Sequence, residues 1–282
     1  MATSDLIKSD LLDQSILFAR LAAAAYLDKS VMNEPGLEKL QNELRLNEHN
    51  SENKTDTQAL LCRWNKDIVI SFRGTEQKFA DWGTDLNGRL IPNPVGVGLI
   101  HSGFHAASDS VYQHVTRYIN QVREEGTRLF VCGHSLGGAL AFITASRLML
   151  DPSLPPVRGV FTYGAPRPGD AEFANAFFNS KCGNRTTMWS ASGDPVVRVV
   201  PFASGYRHAV PRQFTLKESA IGLTSLDGEV ELLLEHEWLK GMPLAKTALW
   251  FINNVSENLR AFNASMHSVS NSYLTQLIAA RG

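Results

Sequence analysis

Apolar positions along the chain follow two rhythms in turn. Leu11 to Leu27 repeats apolar residues at helical spacing with an alanine-rich face, and Leu37 to Leu46 reads as a second short helix. Ala59 to Asn65 and Ile68 to Phe72 read as neighbouring strands, with Asn65, Lys66 and Asp67 as turn residues between them. Val97 to Ile100 predicts a further short strand. His105 to Glu125 places Val111, Val115, Tyr118, Ile119 and Val122 on one helical face, and Gly126 ends that helix. Leu129 to Cys132 is a short apolar strand, followed by a helical pattern that runs to Leu150. Val157 to Tyr163 is again strand-like, Ala171 to Asn179 helical, and Thr186 to Ser190 a strand. Alternation of this kind predicts βαβ units, hence an α/β fold with a mostly parallel central sheet flanked by helices. No internal repeat or low-complexity linker interrupts it, so a single domain over residues 1–282 is expected. The pattern is weakest over residues 217–245, just before an apolar helical segment, Met242 to Asn253, that reads more readily as a core helix than as a cover over a site.

Composition narrows the function classes. With 27 Lys and Arg against 28 Asp and Glu, the formal net charge is −1, which argues against a nucleic-acid partner. No apolar run approaches the ~18 residues of a bilayer-spanning helix. The opening MATSDLIKSD has no basic region followed by an apolar core, so no secretory leader is expected. That points to a cytoplasmic protein or one exported by a leaderless route. Cys62, Cys132 and Cys182 are odd in number and widely spaced, which fits buried thiols rather than a disulfide framework or a zinc site.

The chemistry concentrates in Arg128 to Met149, which contains Gly133-His134-Ser135-Leu136-Gly137. A G-x-S-x-G pentapeptide alone is a weak signal. Here an apolar strand precedes it and an alanine-rich helix follows, as a nucleophile elbow requires. The serine of such an elbow sits on a sharp, strained turn, so its neighbours must be small, and Gly133, Gly137 and Gly138 meet that need. Ser135 then stands at a helix N-terminus, where the dipole favours a developing oxyanion. The plainer reading is a serine that only caps the helix.

Gly133 to Ala141 (GHSLGGALA) resembles the class 3 lipases, the fungal-lipase-like branch of the α/β-hydrolases. Further segments agree in order: Ser71-Phe72-Arg73-Gly74-Thr75, then Asp81 to Leu86, Ile100 to Phe104, and Thr162 to Gly169. Together they cover residues 60–200. The resemblance implies an α/β-hydrolase fold with a helical lid and a Ser-His-Asp triad that needs no metal or organic cofactor. The hydroxyl of Ser135 needs an imidazole to take its proton, and a carboxylate to hold that imidazole. The order Ser, Asp, His leaves His208, His236 and His267 as bases. His267, followed by Tyr273 and Leu274, resembles the family's C-terminal histidine. His208 alternates like a strand residue, and His236 lies among acidic residues, but the long interval between Asp194 and His267 keeps His208 in play. Asp194, in the Ser192-Gly193-Asp194-Pro195 loop, is the expected acid. Asp170 reads as a helix cap and Asp227 lies in an acidic stretch.

By the same resemblance, the oxyanion donors are the backbone N–H groups of Leu136 and Thr75, and Asp85 supports the Thr75 loop. The resemblance places a lid at Glu76 to Asp85, with Phe79 and Trp82 as its apolar contacts and a lipid interface as its transient partner, while the segment reads equally as a static surface helix. The implied substrate is an ester lipid, hydrolysed by a triacylglycerol lipase or carboxylesterase through an acyl-enzyme. Phospholipase A1 and feruloyl-type esterase would share every catalytic residue, and a silent lipid-binding module on the same fold is the reading from a different class.

Overall fold

A computed structural model describes residues 9–26, 37, 40–50, 55–74, 89–94, 96–191, 194, 196–198, 200, 204–209, 213–217, 220–223 and 268–281. The chain starts with helix α1 (Ser9–Ala24), then strands β1 (Leu40–Asn50), β2 (Thr55–Trp64), β3 (Asp67–Phe72), β4 (Leu90–Pro92) and β5 (Leu99–His101). Helix α2 (Ser102–Val122), β6 (Arg128–His134), α3 (Leu136–Leu150), β7 (Val157–Tyr163), β8 (Gly169–Asp170), α4 (Ala171–Phe178) and β9 (Thr186–Ala191) follow. Then come β10 (Tyr206–Arg207), β11 (Gln213–Lys217) and β12 (Ala220–Leu223), a π-helical turn Val269–Leu274 and α5 (Thr275–Arg281).

The main sheet runs β1-β2-β3-β6-β7-β9-β11-β12. Its centre, from β3 through β6, β7 and β9 to β11, is parallel, and only the flanks pair antiparallel. The expected mostly parallel α/β sheet is therefore present. Its central strands are apolar on both faces because both faces are covered. Successive residues divide with period two. Ile68, Ile70, Leu129, Val131, Val160 and Met188 pack under α2, α3 and α4. Val69, Cys132, Phe161, Tyr163 and Trp189 pack under α1, Tyr273 and Leu277. Two polar ties fix α1 to its face: the Ser71 hydroxyl donates to the Leu21 carbonyl at 3.0 Å, and the Tyr163 hydroxyl to the Ser15 carbonyl at 2.5 Å. All three cysteines are free and buried, as their spacing implied.

One element differs in kind from its expectation. Residues 40–46, expected within a helix over Leu37 to Leu46, belong instead to strand β1, paired antiparallel with β2 across a bulge between Gln41 and Leu44. Leu37, Leu40 and Leu44 imitate helical spacing, but Leu44 and Leu46 also share one strand face. The open edge of β2 supplies a ladder that outweighs the weak local preference. A second sheet, β10-β8-β5-β4, was not foreseen, because its strands are only two or three residues long. Among the described residues, no helix is long and apolar enough to cross a membrane. The segments 224–267 and 75–88, and with them the lid reading, lie outside the described residues.

The packing between β3, β6 and α3 leaves no room for side chains. A Cβ on Gly133 would land on the backbone of Gly137, and one on Gly137 would land on the Phe72 carbonyl. We expect Gly133→Ala to cost about 3 kcal/mol or more, as overpacking against rigid backbone does. A urea unfolding midpoint indistinguishable from wild type would contradict that packing.

Candidate active site at the carboxyl ends of the sheet

Strand β6 ends at His134, and the chain turns into α3 through one residue, Ser135, at φ 60° and ψ −131°. A non-glycine residue at such angles carries a strain of order 1–3 kcal/mol and persists only where its surroundings hold it. The holding contacts are visible. The Ser135 N–H donates to the Tyr163 carbonyl at 2.8 Å, and its carbonyl accepts from Gly138 N–H at 2.9 Å. Ser135 has no side-chain capping bond to α3, so the plain capping reading does not describe it. Its Oγ is buried and has no hydrogen-bond partner among the described residues. The N–H of Leu136 opens α3 and belongs to the first-turn donors that have no acceptor within the helix.

Asp194 lies three residues beyond the end of β9 and is fully buried. Strands β6 and β9 are parallel, with β7 between them, so Ser135 and Asp194 follow the carboxyl ends of strands about 10 Å apart. An imidazole with a hydrogen bond at each ring nitrogen is suited to bridge such a gap. The Asp194 carboxylate accepts the Val196 N–H at 2.9 Å and the Tyr273 hydroxyl at 2.5 Å. Tyr273 in turn accepts the Ala191 N–H at 3.0 Å. Burial, and then the adjacent Asp194 carboxylate, push the Tyr273 phenol well above its ordinary pKa, so it stays a proton donor. Tyr273 had entered the sequence reading only as a marker behind His267. No local pattern reveals a contact between residues so far apart in sequence. Tyr273→Phe strands both the Ala191 N–H and one Asp194 oxygen, and we expect a stability loss of about 1–3 kcal/mol. An unchanged thermal unfolding midpoint would contradict these bonds.

His208 takes another position. It is buried beside β10 and hydrogen-bonds the backbone of Val197, two residues past Pro195. Arg167, also fully buried, donates to the Val200 carbonyl at 2.9 Å. Both therefore hold the chain that leads away from Asp194. Asp170 caps α4, accepting the Phe173 N–H at 2.8 Å, as its sequence context indicated. Thr75, Phe79, Trp82, Asp85, Asp227, His236 and His267 lie outside the described residues. The chain re-enters description at Ser268, whose carbonyl accepts the N–H groups of Ser272 and Tyr273. This turn roots the residues just after His267 beside Asp194.

Two buried histidines set a pH dependence. Burial lowers His101 to about 4 from 6.5, and burial followed by the nearby Arg167 lowers His208 well below 6.5. Both are neutral when folded and take up protons when unfolded. Their contribution is intact above pH 6.5 and is lost as pH falls towards 4. Unfolding midpoints measured from pH 7 downward should therefore fall, with the slope approaching two protons. A flat profile would contradict the burial of both rings. Among the described residues, no group of three or more His, Cys, Asp and Glu is placed to hold a metal ion.

Comparison with known proteins adds to this geometry. Residues 69–204 match the family lipase (class 3). A secreted mono- and diacylglycerol lipase 1 from Fusarium solani is 34% identical over 149 residues, covering 52% of this chain and 43% of that protein. A phospholipase A1-IIgamma from Arabidopsis thaliana is 28% identical over 153 residues, covering 44% of this chain and 36% of its own length. The matched stretch thus spans less than half the length of these curated relatives. Among solved structures, the Rhizomucor miehei triacylglyceride lipase superposes with a TM-score of 0.67 at 21% identity, over 82% of this chain and 92% of that one.

Proposed function

We propose that this chain, whose residues 69–204 match the class 3 lipase family, is a member of it and a serine ester hydrolase acting on ester lipids. The observation that carries the proposal is Ser135, held at φ 60° between β6 and α3, with the buried Asp194 two strands along. In the proposed mechanism, His267 takes the proton from the Ser135 hydroxyl as its oxygen attacks the ester carbonyl. The oxyanion accepts hydrogen bonds from the N–H groups of Leu136 and Thr75, and Asp85 steadies the Thr75 loop. Asp194 holds the imidazole in the tautomer that accepts the proton and stabilises the cation that forms. His267 then gives the proton to the leaving alcohol, and water releases the acid from the acyl-enzyme by the same path. No step calls for a metal or an organic cofactor. Phe79 and Trp82 are proposed as lid contacts with the lipid surface.

For the substrate we propose acylglycerols, in line with the mono- and diacylglycerol lipase relative. The phospholipase A1 relative supports a second reading, in which the cleaved ester belongs to a phospholipid. Hydrolysis of a panel of tri-, di- and monoacylglycerols, phosphatidylcholine and feruloyl esters separates these. Acylglycerols should be cleaved fastest. Phospholipid turnover with none on acylglycerols would move the assignment to the second reading.

A further inference from the structure

We propose that Tyr26 is a positioning residue for this site, one whose hydroxyl ties the strand end leading into Thr75 to the residue beneath the nucleophile. Tyr26 follows α1, and its N–H donates to the Ala23 carbonyl at 3.0 Å, so its backbone is fixed to the helix end. From there its hydroxyl oxygen accepts the Gly74 N–H at 3.0 Å. The same oxygen lies 2.7 Å from Nδ1 of His134. An oxygen already accepting from Gly74 has its own proton to give. The hydroxyl therefore bridges the Gly74 N–H and Nδ1 of His134, one hydrogen bond to each.

Two pieces of the site meet at this hydroxyl, and a third lies against the His134 ring. Gly74 immediately precedes Thr75, and His134 immediately precedes Ser135. The His134 ring lies edge-on to Tyr273 at 5.8 Å, and Tyr273 donates to Asp194. The Arg73 guanidinium sits 5.3 Å from the centre of the Tyr26 ring and is itself held by the Gln58 side chain. The fit around Gly74 is close. A Cβ there would strike the Tyr26 hydroxyl and come within 2.8 Å of the Ser135 Cβ. The strand end thus rests on the elbow with the Tyr26 oxygen as its link, and loosening that link frees Gly74 from the elbow. An oxyanion donor works only where it meets the developing charge, so small displacements are costly.

The inference rests on the hydrolase reading of Ser135. Its test is Tyr26→Phe, with His134→Ala and His134→Asn as companions, assayed on a short soluble p-nitrophenyl ester. Tyr26→Phe should lower kcat by about 10- to 100-fold with KM little changed, the scale of a misplaced catalytic group. His134→Ala should lower kcat comparably, and His134→Asn, whose amide keeps a hydrogen-bonding partner near Nδ1, should regain most of the loss. The double variant Tyr26→Phe with His134→Ala should be no worse than the worse single one. Wild-type kcat in folded Tyr26→Phe, equal activity of the two His134 variants, or additive losses would each overturn the proposal. If Tyr26→Phe does not fold, the two His134 variants decide. Wild-type protein that neither hydrolyses esters nor reacts with a fluorophosphonate overturns the hydrolase reading itself. Active wild type beside an equally active Tyr26→Phe overturns this inference alone.

Discussion

Ser135→Ala is expected to lower kcat by about 10^4- to 10^6-fold, the scale on which a hydrolase loses its nucleophile. KM for a short soluble ester should change little, since only the attacking oxygen is removed. The fold should survive, because alanine keeps the Cβ and the hydroxyl makes no hydrogen bond among the described residues. Ser135→Gly sharpens the expectation. Glycine adopts φ 60° without the steric cost that serine carries there. The variant should therefore be as inactive as Ser135→Ala, yet more stable than wild type by about 1 kcal/mol, part of the strain released. Stability gained together with activity lost marks a residue strained for its role. Parallel urea titrations and ester assays of the two variants check both halves. A destabilised Ser135→Gly would remove strain from the account, and retained turnover in either would remove the nucleophile.

Asp194→Asn carries the second large effect, a loss on the order of 10^4 in kcat. The substitution keeps size and the acceptor for the Val196 N–H but removes the charge. The Tyr273 hydroxyl, which already accepts from Ala191, loses the carboxylate to which it donates. The imidazole that Asp194 is proposed to orient loses its anionic partner, and the wrong tautomer becomes available. Asp170→Asn is the matched control, because asparagine caps a helix as well as aspartate does and α4 lies in a different role. Assays of both variants at one pH test the assignment. Equal losses would mean that the acid has been assigned to the wrong loop.

The parts of the fold legible in the sequence were those with strong local signals. Val157 to Tyr163 matches β7 to the residue, and Ile68 to Phe72 and Leu129 to Cys132 match β3 and β6 to within one or two residues at each end, because buried parallel strands are short apolar runs between turn residues. Residues 40–46 were misread because Leu37, Leu40 and Leu44 imitate helical spacing, whereas pairing with β2 makes them a strand. For the site, Ser135 and Asp194 were legible from glycine- and proline-marked loops and from family resemblance. Tyr26 and Tyr273 were not. One looked like the last residues of an alanine-rich helix, and the other like a tail-end marker. Their hydroxyls gain meaning only where α1 and the π-helical turn reach the ends of β3, β6 and β9. Sequence patterns report what a residue does to its own segment, whereas these two act on segments remote in the chain.

The central claim is that Ser135 is an activated nucleophile. Wild-type protein treated with a fluorophosphonate, digested and analysed by mass spectrometry tests it most directly. One adduct is expected, on the side chain of Ser135, absent from Ser135→Ala and nearly absent from Asp194→Asn. An unlabelled Ser135, or an adduct on another serine in a protein that still hydrolyses esters, would contradict it.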